Sequence, residues 1–369
     1  MKRVGYILEK IADIDNLNRA LNHACKRKRH KPFVREVLAH RDQYLQRLHD
    51  DIMAGTLELS VFSELLIYDR SSHKERFIRV PKFYPDQVLH WAVCLALKPV
   101  FMRGMYAYCI GSVPGRGGKC GKKYIEKVYR RDRKVKYAMK TDVRKFFPSV
   151  SNEKMKALLR TKIKDKRALA LIDAIIDSGG DGLPIGFYTS QWLSNFYLEK
   201  VDHYIKEDLH IRHYVRNVDD MTFLDTNKRK LHRALRSIMA YLADGGYRCR
   251  IKDNWQVFPT AARPLDFLGY RFSRNKTMLR KRNYLSLMRR VRRVKKRGYC
   301  TVARARAITS LLGMVKHLPH GKHLYTTYIK PTISKGEMRR IVSKYDKLHP
   351  KGGMLYGHQR QYQPCRGTA

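Results

Sequence analysis

The sequence predicts an α+β fold: an antiparallel sheet backed by helices, preceded by a basic helical segment and followed by a second basic helical unit. Three observations predict it. Short apolar strands end in carboxylates at Asp142 and at Asp219-Asp220. Between them lie two stretches with apolar residues at helical spacing, separated by a glycine cluster. From about residue 278 the chain turns into helices with a narrow apolar seam and a dense basic face.

Taken in order, residues 1–58 read as a basic helical extension with Leu17, Leu21 and Ala24 on one stripe. The run Lys26-Arg27-Lys28-Arg29-His30-Lys31 follows. Such runs are usually solvated faces, but in so basic a chain this one is read as a nucleic-acid contact. Residues 60–83 read as strands around a polar turn, and 86–102 as a buried helix. The stretch from Lys136 to Val143 alternates into a strand ending at Asp142. Ser151 is an N-cap, opening one helix that carries Leu158, Leu159, Leu169, Ile172, Ile175 and Ile176. Gly179-Gly180-Asp181-Gly182 ends it. A second helix runs from about Thr189 to Lys206, with Trp192, Phe196 and Tyr197 as its core stripe. Next come a hairpin (His213 to Arg216, then Met221 to Leu224), a helix over 228–244, and a short hairpin from Leu265 to Phe272 around Gly269. The helix from Arg280 to Arg297 presents Leu287, Met288, Val291 and Val294 on one side. Its neighbour carries Ile308, Leu311, Leu312 and Val315. The tail after Pro350, rich in Gly, Gln and Pro, is expected to be disordered.

Composition narrows the partners. Lys and Arg total 78 against 32 Asp and Glu, a net charge of +46. A surface that positive needs a polyanion to neutralise it. No apolar run reaches the roughly 18 residues of a membrane helix, and Met1 to Gly5 lead into no signal-peptide core. A cytoplasmic nucleic-acid binder with no membrane partner is expected. The seven cysteines are scattered with no Cys-x-x-Cys pair, which points to reduced thiols rather than zinc or disulfides.

Three segments carry the chemistry. Lys140-Thr141-Asp142-Val143-Arg144-Lys145-Phe146-Phe147 places a carboxylate at a strand end before two aromatics. Gly182-Leu183-Pro184-Ile185-Gly186-Phe187-Tyr188-Thr189-Ser190-Gln191 is a glycine-bearing loop entering a helix. Asn217-Val218-Asp219-Asp220 puts adjacent carboxylates at a tight turn. An isolated Asp-Asp at a turn is usually turn chemistry. Here the order is strand, helix, glycine break, helix and hairpin, the βααβ plan of a polymerase palm. Nucleotidyl transfer uses two divalent ions about 3.5–4 Å apart, and magnesium prefers a few carboxylates plus phosphate and water oxygens. Asp142 and Asp219, assisted by Asp220, are the candidate catalytic and metal-holding residues, with Val143 in the same metal segment. Because neighbouring strand residues face opposite ways, Asp219 is expected to face the ions more squarely than Asp220.

From Arg76 to Phe272 these segments resemble the conserved blocks of bacterial reverse transcriptases of the group II intron lineage. Arg76-Phe77-Ile78-Arg79-Val80-Pro81 with Asp86 resembles one finger block, and Ser112-Val113-Pro114-Gly115-Arg116-Gly117 the next. The resemblance implies a right-hand polymerase: fingers over 59–135, a palm with its primer-grip hairpin over 136–272, a helical thumb over 273–349, and the tail 350–369. It implies two magnesium ions, with manganese as an alternative. It makes Asp142, Asp219 and Asp220 the catalytic carboxylates, Phe147 the gate against a ribose 2′-hydroxyl, and Lys252 the group that protonates pyrophosphate. Lys74, Arg76, Arg79, Gly186 and Gln191 become nucleotide contacts. Arg116, Leu268, Gly269, Arg289, Arg292, Lys295 and Lys296 become nucleic-acid contacts. Template RNA, RNA/DNA hybrid and deoxynucleoside triphosphates are the implied partners, together with a structured non-coding RNA and a small basic helical accessory protein.

Ile185-Gly186 followed by Ser190-Gln191 stands where most intron-type enzymes carry Gln-Gly and Ser-Pro. This is similar to reverse transcriptases of diversity-generating retroelements, which copy RNA with errors at adenines. Asn217 replaces the usual aromatic, and Gln87 and His90 replace Arg and Gln. Alternatives are the same polymerase in phage defence or domestication, an RNA-dependent RNA polymerase (against which Phe147 argues), and an inactive RNA-binding scaffold (against which the three aspartates argue).

Overall fold

The computed structural model describes residues 2–69 and 74–349. The expectation for 350–369 lies outside these residues, as does the side chain of Lys74. The extension folds as α1 (Ile7–Ala12), α2 (Ile14–Ala24), α3 (Pro32–Ala39) and α4 (Arg41–Ala54). Asp13 caps α2 by accepting from the Asn16 amide. The amides of Ile7 and Leu8, unpaired at a helix start, donate to Asp165 Oδ2 at 2.7 and 2.9 Å, pinning the extension to the central helices.

Two strands, β1 (Ser63–Asp69) and β2 (Lys74–Val80), form an antiparallel ribbon. Two helices follow, α5 (Val88–Gly104) and α6 (Gly118–Arg131), and then β3 (Tyr137–Asp142) and the one-turn α7 (Phe146–Ser149). The single helix expected after Ser151 is two: α8 (Asn152–Lys162) and α9 (Lys166–Ser178). Ser151 caps the first as expected, but Asp165 caps the second through the Ala168 amide. The helix expected to reach Lys206 also breaks, into α10 (Tyr188–Tyr197), α11 (Glu199–His203) and a wider turn over Tyr204–Asp208. Apolar spacing runs through both breaks, so periodicity alone did not mark them.

The hairpin is β4 (His213–Asn217) and β5 (Asp220–Asp225), followed by α12 (Lys228–Asp244) and β6 (Gln256–Pro259). These strands and β3 make an antiparallel sheet in the order β4-β5-β3-β6. The hairpin of β7 (Leu265–Phe267) and β8 (Tyr270–Phe272) gains an unforeseen third strand, β9 (Thr277–Leu279). The described residues close with α13 (Lys281–Arg297), α14 (Val302–Val315), the short α15 (Gly321–His323) and α16 (Lys335–Leu348).

Strand alternation divides the four-stranded sheet between two cores. Met139, Tyr214, Met221 and Phe223 pack with the N-terminal helices and α5, α8, α9 and α10. Ala138, Val215 and Leu224 pack on the other face with α6, the three-stranded sheet and the C-terminal helices. Asp142 shares the face of Ala138, and Asp220 that of Leu224. Both carboxylates therefore sit at the open end of the face shared with the C-terminal helices. Among the described residues no helix is long and apolar enough to cross a membrane.

Candidate active site and nucleic-acid face

In the sheet register Asp142 lies directly opposite Asp220, and such cross-strand neighbours point to one face. Asp219 occupies the two-residue turn between β4 and β5. Burial, then the charge of Asp142 and a hydrogen bond shared with it, push the Asp219 carboxyl up to about 7. Burial also raises Asp220, opposed by Lys140. Lys140 Nζ stands 3.3 Å from Asp220 Oδ2, and the Lys252 ammonium contacts Asp142 Oδ2. The other oxygens, Oδ1 of Asp142 and Oδ1 of Asp220, are buried with no partner among the described residues. Among the described residues no group of three or more His, Cys, Asp or Glu encloses an ion site. Magnesium takes one or two carboxylates and completes its shell with phosphate and water oxygens. Two orphaned carboxylate oxygens on one face, beside a third carboxyl that resists ionising, fit such ions. Val143 is fully buried and bridges to Ile251, fixing the strand end beside Asp142.

The carboxylate turn is strained and braced. Val218 has φ 60°, a left-handed conformation that costs a β-branched residue about 1–3 kcal/mol. Arg216 Nη1 donates to the Val218 carbonyl at 2.9 Å. Arg216 is fully buried, and its guanidinium pairs with buried Asp202 at 2.7 and 2.5 Å. Asn195 joins this web, donating to the Gly111 carbonyl at 2.7 Å. Gly111 is packed so closely that a Cβ there would stand 2.5 Å from Val218 Cγ2 and 2.7 Å from the Val218 amide nitrogen. Sequence reading missed Arg216, Asp202, Asn195 and Gly111. The available signal was an arginine inside an otherwise buried strand, which requires a partner.

Among the nucleotide candidates, Arg76 and Arg79 fall on opposite faces of β2. The Arg79 guanidinium bonds the Gly179 carbonyl, reaches Glu64 at 3.3 Å and lies over the Phe62 ring at 4.9 Å. Its amide donates to the Ile185 carbonyl at 2.8 Å. The structure thus places Arg79 as a brace between the β1–β2 ribbon and the 179–186 loop. Gly186, at φ 122°, presses on that brace: a Cβ would stand 2.1 Å from the Arg79 carbonyl oxygen. Phe147 is partly buried, and its carbonyl accepts from the Leu183 amide at 2.8 Å. Gln191 is exposed in the first turns of α10. His90 is buried, bonds Thr189 Oγ1 at 2.8 Å and meets the Phe187 ring edge at 4.7 Å. Burial lowers its pKa to about 4. His90 therefore packs against Phe187 and Thr189 within the 185–191 segment.

Of the nucleic-acid candidates, Arg116 is tied to the backbone, donating to the Tyr106 and Cys109 carbonyls at 2.7 and 3.1 Å. Leu268 and Gly269, both at positive φ, form the β7–β8 turn. Arg289, Arg292, Lys295 and Lys296 are exposed on α13, whose Leu287, Val291 and Val294 are buried.

The family model for reverse transcriptase (RNA-dependent DNA polymerase) matches residues 72–272. No curated protein sequence matches the chain. Among solved structures, it is similar to apo telomerase of Candida tropicalis truncated from its C-terminal domain, at 13% identity and TM-score 0.45, over 59% of this chain and 55% of that one. It is also similar to the telomerases of Candida albicans and Candida tropicalis in complex with a TWJ fragment of telomeric RNA. Both are 12% identical, with TM-scores of 0.44 and 0.46, covering 79% and 78% of this chain and 58% and 61% of theirs. The chain spans roughly half to three-fifths of those telomerase chains. With more than half of its length matched by the family model, and with an α+β polymerase fold, the chain belongs to the reverse transcriptase family.

Proposed function

We propose that this RNA-directed DNA polymerase copies a template RNA into cDNA within a diversity-generating retroelement, with errors at template adenines. The observation that carries the catalytic reading is the register of Asp142 against Asp220, with two buried carboxylate oxygens unpartnered and Asp219 beside them. Asp142, Asp219 and Asp220 would hold two magnesium ions, or manganese in their place, which would supply positive charge to the phosphoryl group during transfer. The primer 3′-hydroxyl gives its proton to solvent as its oxygen bonds to the α-phosphorus, the bond from the α-phosphorus to the bridging oxygen of the β-phosphate breaks, and pyrophosphate leaves. Lys252, released from Asp142, hands the departing pyrophosphate a proton. Phe147 packs beneath the sugar and rejects a 2′-hydroxyl. The exposed basic face of α13 follows the phosphates without reading sequence.

The retroelement assignment rests on the 185–191 loop, where Ile185 stands in place of a polar residue and His90 ties the loop to α5. A tenfold loss of discrimination takes only about 1.4 kcal/mol, so a small change in packing at the templating base suffices. The partners are template RNA, deoxynucleoside triphosphates, a structured RNA and a small basic helical protein, in the cytoplasm. Sequencing cDNA made on a defined RNA template tests this. Misincorporation concentrated opposite adenine, and reduced in Ile185→Gln, supports it. A low, even error rate assigns the enzyme to phage defence or a domesticated role.

A further inference from the structure

Away from the carboxylates, two clefts meet where α6, the β8–β9 turn and the C-terminal helices converge. The first, of about 580 Å³, is lined by Lys122, Arg130, Arg133, Arg274, Lys276 and Lys316 against one carboxylate, Glu126. Glu126 is already engaged, accepting from Lys122 Nζ at 2.6 Å and from Thr277 Oγ1 at 2.7 Å. Two wall atoms, Arg274 Nη1 and Tyr129 Oη, are buried with no partner among the described residues. The other arm of Arg274 donates to the Val135 carbonyl at 2.6 Å, so the guanidinium is held with one edge unused.

The second cleft, of about 400 Å³, shares Thr277 and Leu318 with the first. Met278, Leu279, Tyr284, Leu324 and Tyr328 give it an apolar, aromatic lining, and no Asp or Glu lines it. Tyr328 is half exposed, and its ring meets His323 edge-on at 6.1 Å. Arg271, Lys281 and His320 complete the walls.

A basic cleft alone would be unremarkable at +46. A cationic cleft with unused buried donors, sharing a wall with an aromatic cleft lined by no carboxylate, is a different object. It matches an unstacked nucleotide, which needs donors for its phosphate and a ring face for its base. We propose that these clefts bind a single-stranded RNA segment, phosphates in the α6 cleft and one base against Tyr328 and Tyr284. A duplex cannot use the second cleft, because its bases are already stacked and paired. The α6 cleft lies at the Ser273–Lys276 end of β8, opposite the Leu268-Gly269 turn, and the second cleft takes Lys281 and Tyr284 from the first turn of α13, at the other end of that helix from Lys295 and Lys296. The proposal requires that hybrid and single strand bind together, which the test reads directly.

The test uses full-length Asp142→Asn protein preloaded with an RNA/DNA hybrid, and follows a labelled 12-nucleotide single-stranded RNA by anisotropy. The RNA is expected to bind the preloaded protein. Tyr328→Ala should weaken that binding about tenfold, within the range for loss of one stacked base, and leave hybrid binding unchanged. Arg133→Gln with Lys276→Gln should lower the salt slope by about 1.4, two single-strand phosphate contacts. An abasic strand of the same length should be insensitive to Tyr328→Ala. Displacement of the RNA one-for-one by hybrid, unchanged binding in both variants, or equal weakening of hybrid and single strand would overturn the proposal. Because the readout is binding by a catalytically silent protein, it stands or falls apart from the synthesis assay.

Discussion

Asp219→Asn is expected to abolish DNA synthesis and yet stabilise the metal-free protein. The Asp219 carboxyl titrates near 7 rather than 3.8, chiefly through burial and then through Asp142. Holding it as an anion above that pH opposes folding by up to about 4 kcal/mol, and screening by the open side of the site brings this to about 2 kcal/mol. The sign follows from linkage. An acid whose folded pKa is raised keeps its proton in the folded state after the unfolded chain has lost it. Stability therefore falls as pH rises from about 4 to about 7, and is flat above. Asparagine carries no such penalty. The difference in Tm between variant and parent should be near zero at pH 4 and grow to about 3 °C at pH 8.

The assay is thermal unfolding in EDTA across this range, repeated with magnesium. Magnesium should raise the Tm of the parent at pH 8 by neutralising the crowded carboxylates, and should raise that of the variant much less. A variant less stable than the parent at pH 8 in EDTA, or a Tm difference independent of pH, would refute the crowding argument. Normal extension by the variant would remove Asp219 from the site altogether.

Phe147→Val should admit ribonucleotides, read as the ratio of rUTP to dTTP incorporation; unchanged discrimination leaves Phe147 as packing only. Replacing Lys295, Lys296 and Arg297 together by Ala should flatten the salt dependence of hybrid binding, with about 0.7–0.9 lost from the slope per phosphate contact. Gly111→Ala should destabilise the fold by about 1–3 kcal/mol, as overpacking does, and lower kcat more than it raises KM, because the added methyl presses on Val218 and not on substrate. Arg216→Met should be worse than Arg216→Met with Asp202→Leu, measured as urea midpoints, because the single change leaves a buried carboxylate unpaired.

The sheet and the carboxylates were legible for the same reason: both live in short-range pattern. Strand alternation placed β3, β4 and β5, and the aspartates stood at their ends, where a turn needs a polar residue. Ser151 was legible as a cap because capping is a three-residue affair. What escaped notice was long-range. Asp165 reads as an ordinary surface aspartate until the amides of Ile7 and Leu8 arrive from the far end of the chain. Arg79 and Arg116 read as free cations, but each is spent on backbone carbonyls brought in by folding. Strand β9, at three residues, is too short to show alternation. The break between α8 and α9 hides because its flanks keep helical spacing through the kink.

These long-range ties bear on how the 185–191 loop could influence copying. The loop is held through its backbone and its neighbours. The Ile185 carbonyl accepts from the Arg79 amide, Gly186 lies against the Arg79 carbonyl, and Thr189 bonds His90. None of these contacts uses the side chain of Ile185. A substitution there should leave the loop in place and change only the surface it presents, so altered fidelity in Ile185→Gln would report on that surface. His90→Gln would instead loosen the tether while leaving the side chain at 185 unaltered. If the two variants change the error spectrum alike, loop position governs fidelity; if only Ile185→Gln does, the side chain at 185 governs it.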